Sequence, residues 1–354
     1  MHPSTPPRVL LTCGDPAGIG PEVALLAWST TPAHARARLR LVADPGMIGG
    51  VLGARGGMPA ARLTVVDADD PRPSAADELL VVPPAGEAAE PVVPGVASAA
   101  GGRQAAAAVL TAFALVRRGA AAAIVTGPLH KAALHAAGYD VPGHTELLAR
   151  GCGLPDAAAS MMLWLPAARP PDGLGVVHAT LHQSLRTAVA DLSTAGIVAA
   201  GRRLGGLLAA LQGRPPRLAV AALNPHGGED GLFGDEEARL VAPAVEQLQR
   251  LGVAVTGPLP ADTLFLRASR GEFDGVVALY HDQGHIPVKL LGMHRAVNIT
   301  LGLPLVRTSV AHGTAFDIVG AGRADPTSML SAIDAAIRLV ASGWTAEAVT
   351  AATG

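Results

Sequence analysis

The chain has 354 residues, 49% of them apolar and 16% charged, with a formal net charge of −2. That length exceeds one ordinary compact core and fits two domains, and the lack of a basic excess excludes a typical nucleic-acid binder. Two cysteines, Cys13 and Cys152, can form neither a disulfide framework nor a metal knuckle, so a reduced, cytoplasmic protein is expected.

The opening Met1–Pro7 has no basic stretch leading into an apolar core, so it does not read as a secretory signal. Val9–Thr12 reads as a buried strand running into the loop Gly14–Glu22, with a helix from Pro21, since proline suits a first helical turn. Leu39–Val42 and Leu63–Val66 are further short strands. Residues 67–103, rich in Pro, Ala and Gly, read as an irregular excursion. A helix is expected over about 104–118; its apolar part, Ala105–Val116, is too short to span a bilayer. Ala122–Val125 is a strand ending in Thr126–Lys131. Between about 150 and 290, strands alternate with long Ala/Leu helices at 187–212 and 235–251, the pattern of a largely parallel sheet covered on both faces. The last part carries Val297–Leu301, a loop through Arg307, a Gly-rich segment 312–325 and a terminal helix over 326–341.

Three strand-like runs end in short polar loops carrying a histidine: Gly175–Thr180 before His182, Leu218–Leu223 before His226, and Val276–Tyr280 before His281. Ligands of open α/β sheets sit outside the carboxyl ends of strands, and three imidazoles there suit one divalent metal with a position left open. A single such histidine ordinarily only hydrogen-bonds a carbonyl, and spacing alone leaves their convergence open. No His-Glu-x-x-His motif supports a zincin-type hydrolase. Gly18 and Gly20, beside Pro21 at a helix start, offer N–H groups to an anion. Lys289, Arg295 and Arg307 are candidate anion holders, Arg307 above all because its neighbours look buried; the alternative for each is a solvated charge. No Gly-x-Gly-x-x-Gly turn follows a strand, so a Rossmann fingerprint is absent. In Pro142–Glu146, His144 and Thr145 precede a helix, where Thr145 could simply be an N-cap. Asp262 lies in a Pro-rich turn, where a lone acid is ordinarily a cap or turn residue.

Together GDPAGIGPE (14–22), TGPLHK (126–131), PGHTE (142–146), NPHGGEDG (224–231), GPLPADT (257–263), YHDQG (280–284), NITLGLPLVRTS (298–309) and HGTAFDI (312–318) resemble the 4-hydroxythreonine-4-phosphate dehydrogenase family of pyridoxine (vitamin B6) biosynthesis over about residues 9–341. The last segment is also similar to the cofactor loop of isocitrate and isopropylmalate dehydrogenases. The resemblance implies a two-domain α/β fold of that dehydrogenase type, with mostly parallel sheets and an inter-domain cleft. Residues 1–149 plus 292–354 would form the first domain, and 150–291 the second, carrying a dimer interface. It implies a divalent metal (zinc, with magnesium, cobalt, manganese or nickel as alternatives) on His182, His226 and His281, drawn from both subunits of a homodimer. His144, Thr145, Lys289, Asn298 and Arg307 would bind substrate, Lys289 and Asp262 would be catalytic, and His312, Gly313, Thr314 and Asp317 would bind NAD or NADP.

The implied reaction is oxidation of the secondary alcohol of a phosphorylated hydroxy acid such as 4-phosphohydroxy-L-threonine, followed by decarboxylation of the β-keto acid. Alternatives are the same machinery acting on threonate or erythronate 4-phosphate or on a carboxylated cis-dihydrodiol, and a catalytically silent metal- or ligand-binding homologue. HDQGHIPVKLLG (281–292) resembles the branch linked to four-carbon sugar-acid phosphates. Ala311 stands where many relatives carry an acid, and Gln183-Ser184 replaces a proline-containing turn. No nucleic-acid or membrane partner is expected.

Overall fold

A computed structural model describes residues 5–54, 57–86, 90–155, 159–167 and 172–344. Residues 1–4, part of the segment read above as carrying no signal, and 345–354, assigned by sequence to the first domain, lie outside the described residues. In chain order the elements are β1 (Arg8–Thr12), α1 (Gly20–Thr30), β2 (Arg38–Val42), α2 (Pro45–Ala54), β3 (Arg62–Val65), β4 (Glu78–Val82), α3 (Ala99–Arg117), β5 (Ala123–Thr126), α4 (Lys131–Ala136) and α5 (His144–Gly151). There follow β6 (Ser160–Pro166), β7 (Gly173–His178), α6 (Leu185–Asp191), α7 (Thr194–Gln212), β8 (Leu218–Ala221), α8 (Ala242–Arg250), β9 (Val255–Leu259), α9 (Ala261–Ser269), β10 (Gly275–Ala278), α10 (His281–Gly292), β11 (Val297–Leu301), β12 (Val306–Val310) and α11 (Thr327–Ala341).

The described residues divide into two compact units, one of residues 5–160 plus Gly302–Ala341, the other of Met161–Leu301 with residues 342–344. In the first unit the strand order is β3-β4-β2-β1-β5-β12, with parallel pairing throughout. Leu10 lies beside both Arg40 and Ile124, and Arg307 beside Ile124. Val9, Leu10, Leu11, Ile124 and Val125 are fully buried, because helices cover both faces of such a sheet. In the second unit the order is β11-β6-β7-β10-β8-β9; β7, β10, β8 and β9 are parallel, while β6 runs antiparallel to β7. The strands preceding His182, His281 and His226 therefore stand side by side, and all three segments leave the same sheet edge.

Several sequence expectations need correction. The stretch 67–103 holds strand β4, whose Leu79-Leu80-Val81-Val82 run is buried between two strands. The helix expected at 104–118 begins at Ala99, where the Ser98 hydroxyl accepts a hydrogen bond from Gly101 N–H and caps it. The helix expected at 187–212 is two, separated by Leu192 and Ser193, because Ser193 caps α7 through Gly196 N–H. The 235–251 helix opens with a π turn, Glu237–Val241, before α8. Arg307 lies in strand β12 and not in a loop, and His281 opens helix α10 and does not sit in a loop. At 19 residues each, α3 and α7 have the length and apolar composition to cross a membrane, unlike the shorter stretch read from sequence. In α7 the apolar face (Leu204, Leu207, Leu208, Leu211) is buried in its own unit, each such side chain contributing about 1.5–3 kcal/mol.

Candidate active site

In the second unit, His182 follows β7 and His281 is the first residue of α10. Their ring centroids are 5.7 Å apart. Two imidazoles sharing one cation have centroids about 5–6 Å apart, since each nitrogen sits at about 2.0–2.1 Å from the metal, so this pair fits a divalent ion. The rings border a cavity of about 480 Å³ that Tyr280, Asp282 and Leu185 also line. An Asp282 carboxylate oxygen lies 2.6 Å from His281 Nδ1. A carboxylate accepting a hydrogen bond from Nδ1–H fixes the tautomer and leaves Nε2 available to ligate a metal. The first turn of α10 is locked by Gln283, whose Oε1 accepts from Leu279 N–H at 2.6 Å and whose Nε2 donates to the Ala222 carbonyl at 2.7 Å. This amide ties the ends of β10 and β8 to the helix that carries His281.

Among the described residues of one chain, no three His, Cys, Asp or Glu side chains assemble into a metal-holding group. His226 is not drawn into the His182–His281 pair. Its ring lies 6.4 Å from that of Phe233, and its backbone is left-handed (φ 54°), as are those of Gly227, Gly228, Glu229 and Asp230 after it. That unusual run is held from below by buried Glu237, which accepts from Leu223 N–H and Asn224 N–H, both at 2.8 Å, and from Asn224 Nδ2 at 2.9 Å. Burial opposes the Glu237 charge, but the Asn224 hydrogen bonds prevail and hold its carboxyl below the usual range.

The same unit contains two histidines that sequence reasoning passed over, His178 at the end of β7 and His285 one turn beyond His281. Both are buried. Burial, then neighbouring imidazoles, lowers His178 to about 3 and His285 to about 4, so both are neutral at physiological pH. Lys289, two turns beyond His281, and Asp262 in the first turn of α9 are exposed, so Asp262 is not in the turn expected from sequence. Asn298 lies on β11 with its Oδ1 buried and unpartnered. Arg295 lines a separate cavity with Arg214, Arg217 and Asp274; Asp274 immediately precedes β10, so this cavity is away from the carboxyl edge.

In the first unit, Arg307 is buried within β12, and its Nη2 and Nε donate to Thr126 Oγ1 at 2.7 and 3.2 Å. Burial lowers its pKa to about 10, opposed by Glu146, so the guanidinium remains charged at neutral pH. His144 starts α5; its N-cap is Gly143, so Thr145 does not cap this helix. His144 Nε2 is buried without a partner, and burial together with the nearby Arg307 charge lowers its pKa well below the ordinary value. A buried cation beside an unsatisfied imidazole nitrogen suits an anionic ligand. The loop carrying His312, Gly313, Thr314 and Asp317 is pinned to the loop between β1 and α1. Ile19 N–H donates to the Thr314 carbonyl at 2.9 Å, a Cβ on Gly18 would lie 2.7 Å from that oxygen, and Gly320 N–H donates to Glu22 Oε1 at 2.9 Å. Within this loop His312 Nε2 is buried and unpartnered. A polar ligand is the natural source of the missing bond.

Residues 38–336 match the family of the pyridoxal phosphate biosynthetic protein PdxA. The 4-hydroxythreonine-4-phosphate dehydrogenase of Desulfosudis oleivorans is 42% identical, covering 94% of this chain and 95% of that one. The D-threonate 4-phosphate dehydrogenase of Bordetella bronchiseptica is 43% identical, covering 97% and 95%. A crystal structure of 4-hydroxythreonine-4-phosphate dehydrogenase from Klebsiella pneumoniae superimposes with a TM-score of 0.80 at 40% identity, over 96% of this chain and 99% of that one.

Proposed function

We propose, from the premise that this chain belongs to the family of the pyridoxal phosphate biosynthetic protein PdxA, that it oxidises the secondary alcohol of a phosphorylated hydroxy acid with NAD or NADP, after which the β-keto acid loses carbon dioxide. Like its relatives it is a dehydrogenase. The observation that carries the chemistry is the facing pair His182 and His281, with Asp282 on the far nitrogen of His281.

A divalent cation on these imidazoles would supply positive charge beside the substrate hydroxyl, favouring its deprotonation, and the nicotinamide would accept the hydride. His182 and His281 hold the cation, with the partner subunit's His226 as the third ligand in a homodimer. Support for a dimer comes from the second unit, where Ile286, Leu290 and Met293 form an exposed stripe at helical spacing on α10 and its end, and Leu232 and Phe233 are exposed beyond His226. Arg307 and His144 bind the substrate's anionic group, and Thr126 keeps the guanidinium plane fixed. Thr145, Lys289 and Asn298 make further substrate contacts, and Asp262 serves the proton transfer with Lys289. His312, Gly313, Thr314 and Asp317 bind the dinucleotide on a loop that the β1–α1 turn keeps rigid. Two unpaired cysteines fit a reducing, cytoplasmic setting.

Turnover of 4-phosphohydroxy-L-threonine and threonate 4-phosphate, followed at the nicotinamide absorbance with added zinc, cobalt, manganese or magnesium, tests this reading. Metal-dependent reduction of NAD or NADP by one of them is expected. Tight metal binding with no affinity for either dinucleotide would instead favour a silent metal-binding homologue.

A further inference from the structure

The least expected feature of the second unit is a pair of buried imidazoles behind the proposed metal ligand. The His285 ring lies flat against that of His281, centroids 3.8 Å apart and planes within 10°. Its Nδ1 is 3.1 Å from His178 Nε2 and 3.3 Å from the His281 carbonyl oxygen. The carbonyl can only accept, so a proton on His285 Nδ1 donates to it or to His178 Nε2, and either bond holds the ring against the first turn of α10. Gly284 makes this possible, because a Cβ there would collide with His178 Nε2. Hydrocarbon side chains could fill the same space without the desolvation that two buried imidazoles cost. What they could not provide is a directional anchor for the ring stacked on His281.

We propose that His285 and His178 are positioning residues for the His281 ligand: the anchored His285 ring fixes the plane of His281, so that its Nε2 points at the cation, and thereby sets metal affinity and ligand geometry. This inference rests on the metal reading of His182 and His281 above. Hydrogen-bonded supports behind a metal ligand commonly contribute about 10–100-fold in affinity, and neither residue needs to touch substrate.

The test uses the full-length protein, titrated with cobalt(II) and followed by its visible d–d absorption, alongside thermal melting of the metal-free protein. In His285→Phe, which keeps a flat ring but loses the anchoring nitrogen, cobalt affinity should fall about 10–100-fold and the d–d band should shift. The metal-free variant should still unfold in one cooperative transition, somewhat lower than the parent because the buried His178 Nε2 loses its partner. Gly284→Ala, which keeps both rings but displaces His178, should weaken cobalt in the same direction and supplies the answer if the ring variant fails to fold. Cobalt affinity within twofold of the parent with an unchanged spectrum in the variants that fold overturns the inference. His281→Ala separates the two levels: loss of cobalt binding there supports the metal reading whatever His285 does, whereas retained binding overturns that reading and this inference with it.

Discussion

A guanidinium buried in a strand, like that of Arg307, is costly unless something supplies negative charge or directed acceptors. Thr126 supplies an acceptor, and Glu146 favours the charge from a distance. Beside it, His144 is kept neutral by burial and by Arg307 itself. The direction of the linkage follows. A histidine whose folded pKa is depressed costs no stability above its unfolded value of about 6.5, and destabilises as pH falls from there toward the folded value. An anion bound beside Arg307 offsets the repulsion and raises the His144 pKa, so binding takes up a proton. Sulfate, whose own charge is constant in this range, should therefore bind more tightly as pH falls from about 8 to 6, by at most about tenfold per pH unit for one linked proton. Calorimetry checks this: His144→Gln should flatten the dependence, and a flat profile in the parent would contradict the assignment of this pair.

Helix α10 shows what a segment can conceal. Gln283 and His285 are buried and His281 is half-buried at the cavity, while Ile286, Leu290 and Met293 face outward, Leu290 being 83% exposed. An exposed apolar stripe of this kind calls for a covering surface. Leu290→Asp should shift the protein from dimer to monomer by light scattering with the metal-free fold retained by circular dichroism. An unchanged mass would remove α10 from the interface. The helix itself was hard to read in the sequence because Gly284 and Pro287 punctuate it as they would a loop. The β4 strand hid for a related reason, its short apolar run being embedded among Pro, Ala and Gly. Longer signals were legible: β1, β2, β5, β7, β8, β10 and β11 stand where the apolar runs put them, to within one or two residues. His178 escaped notice because it lies inside a strand pattern, where a histidine reads as filler. Only three-dimensional register brings it against His285, 107 residues further along the chain. The sequence also indicated which strand ends deliver His182, His226 and His281, but the left-handed run after Pro225 turns His226 aside, and backbone handedness of that kind is invisible to periodicity.

At the scale of the whole molecule, the fold and the family agree, and the 40% identity to the Klebsiella pneumoniae enzyme extends over nearly the full chain. Among the described residues of one chain, His226 stands apart from His182 and His281, so the proposed three-histidine centre lacks its third ligand there. The proposed metal centre is therefore complete only with two chains. Subunit mixing measures this directly: His226→Ala and His281→Ala should each be inactive alone, and are then unfolded, combined in equal amounts and refolded together. If the partner subunit's His226 completes the site, each mixed dimer contains one intact centre, and with random pairing the mixture should recover about a quarter of parent activity (half the dimers mixed, each with one of two sites working). Activity remaining at the level of the separate variants, with mixed dimers demonstrably formed, would contradict the shared centre.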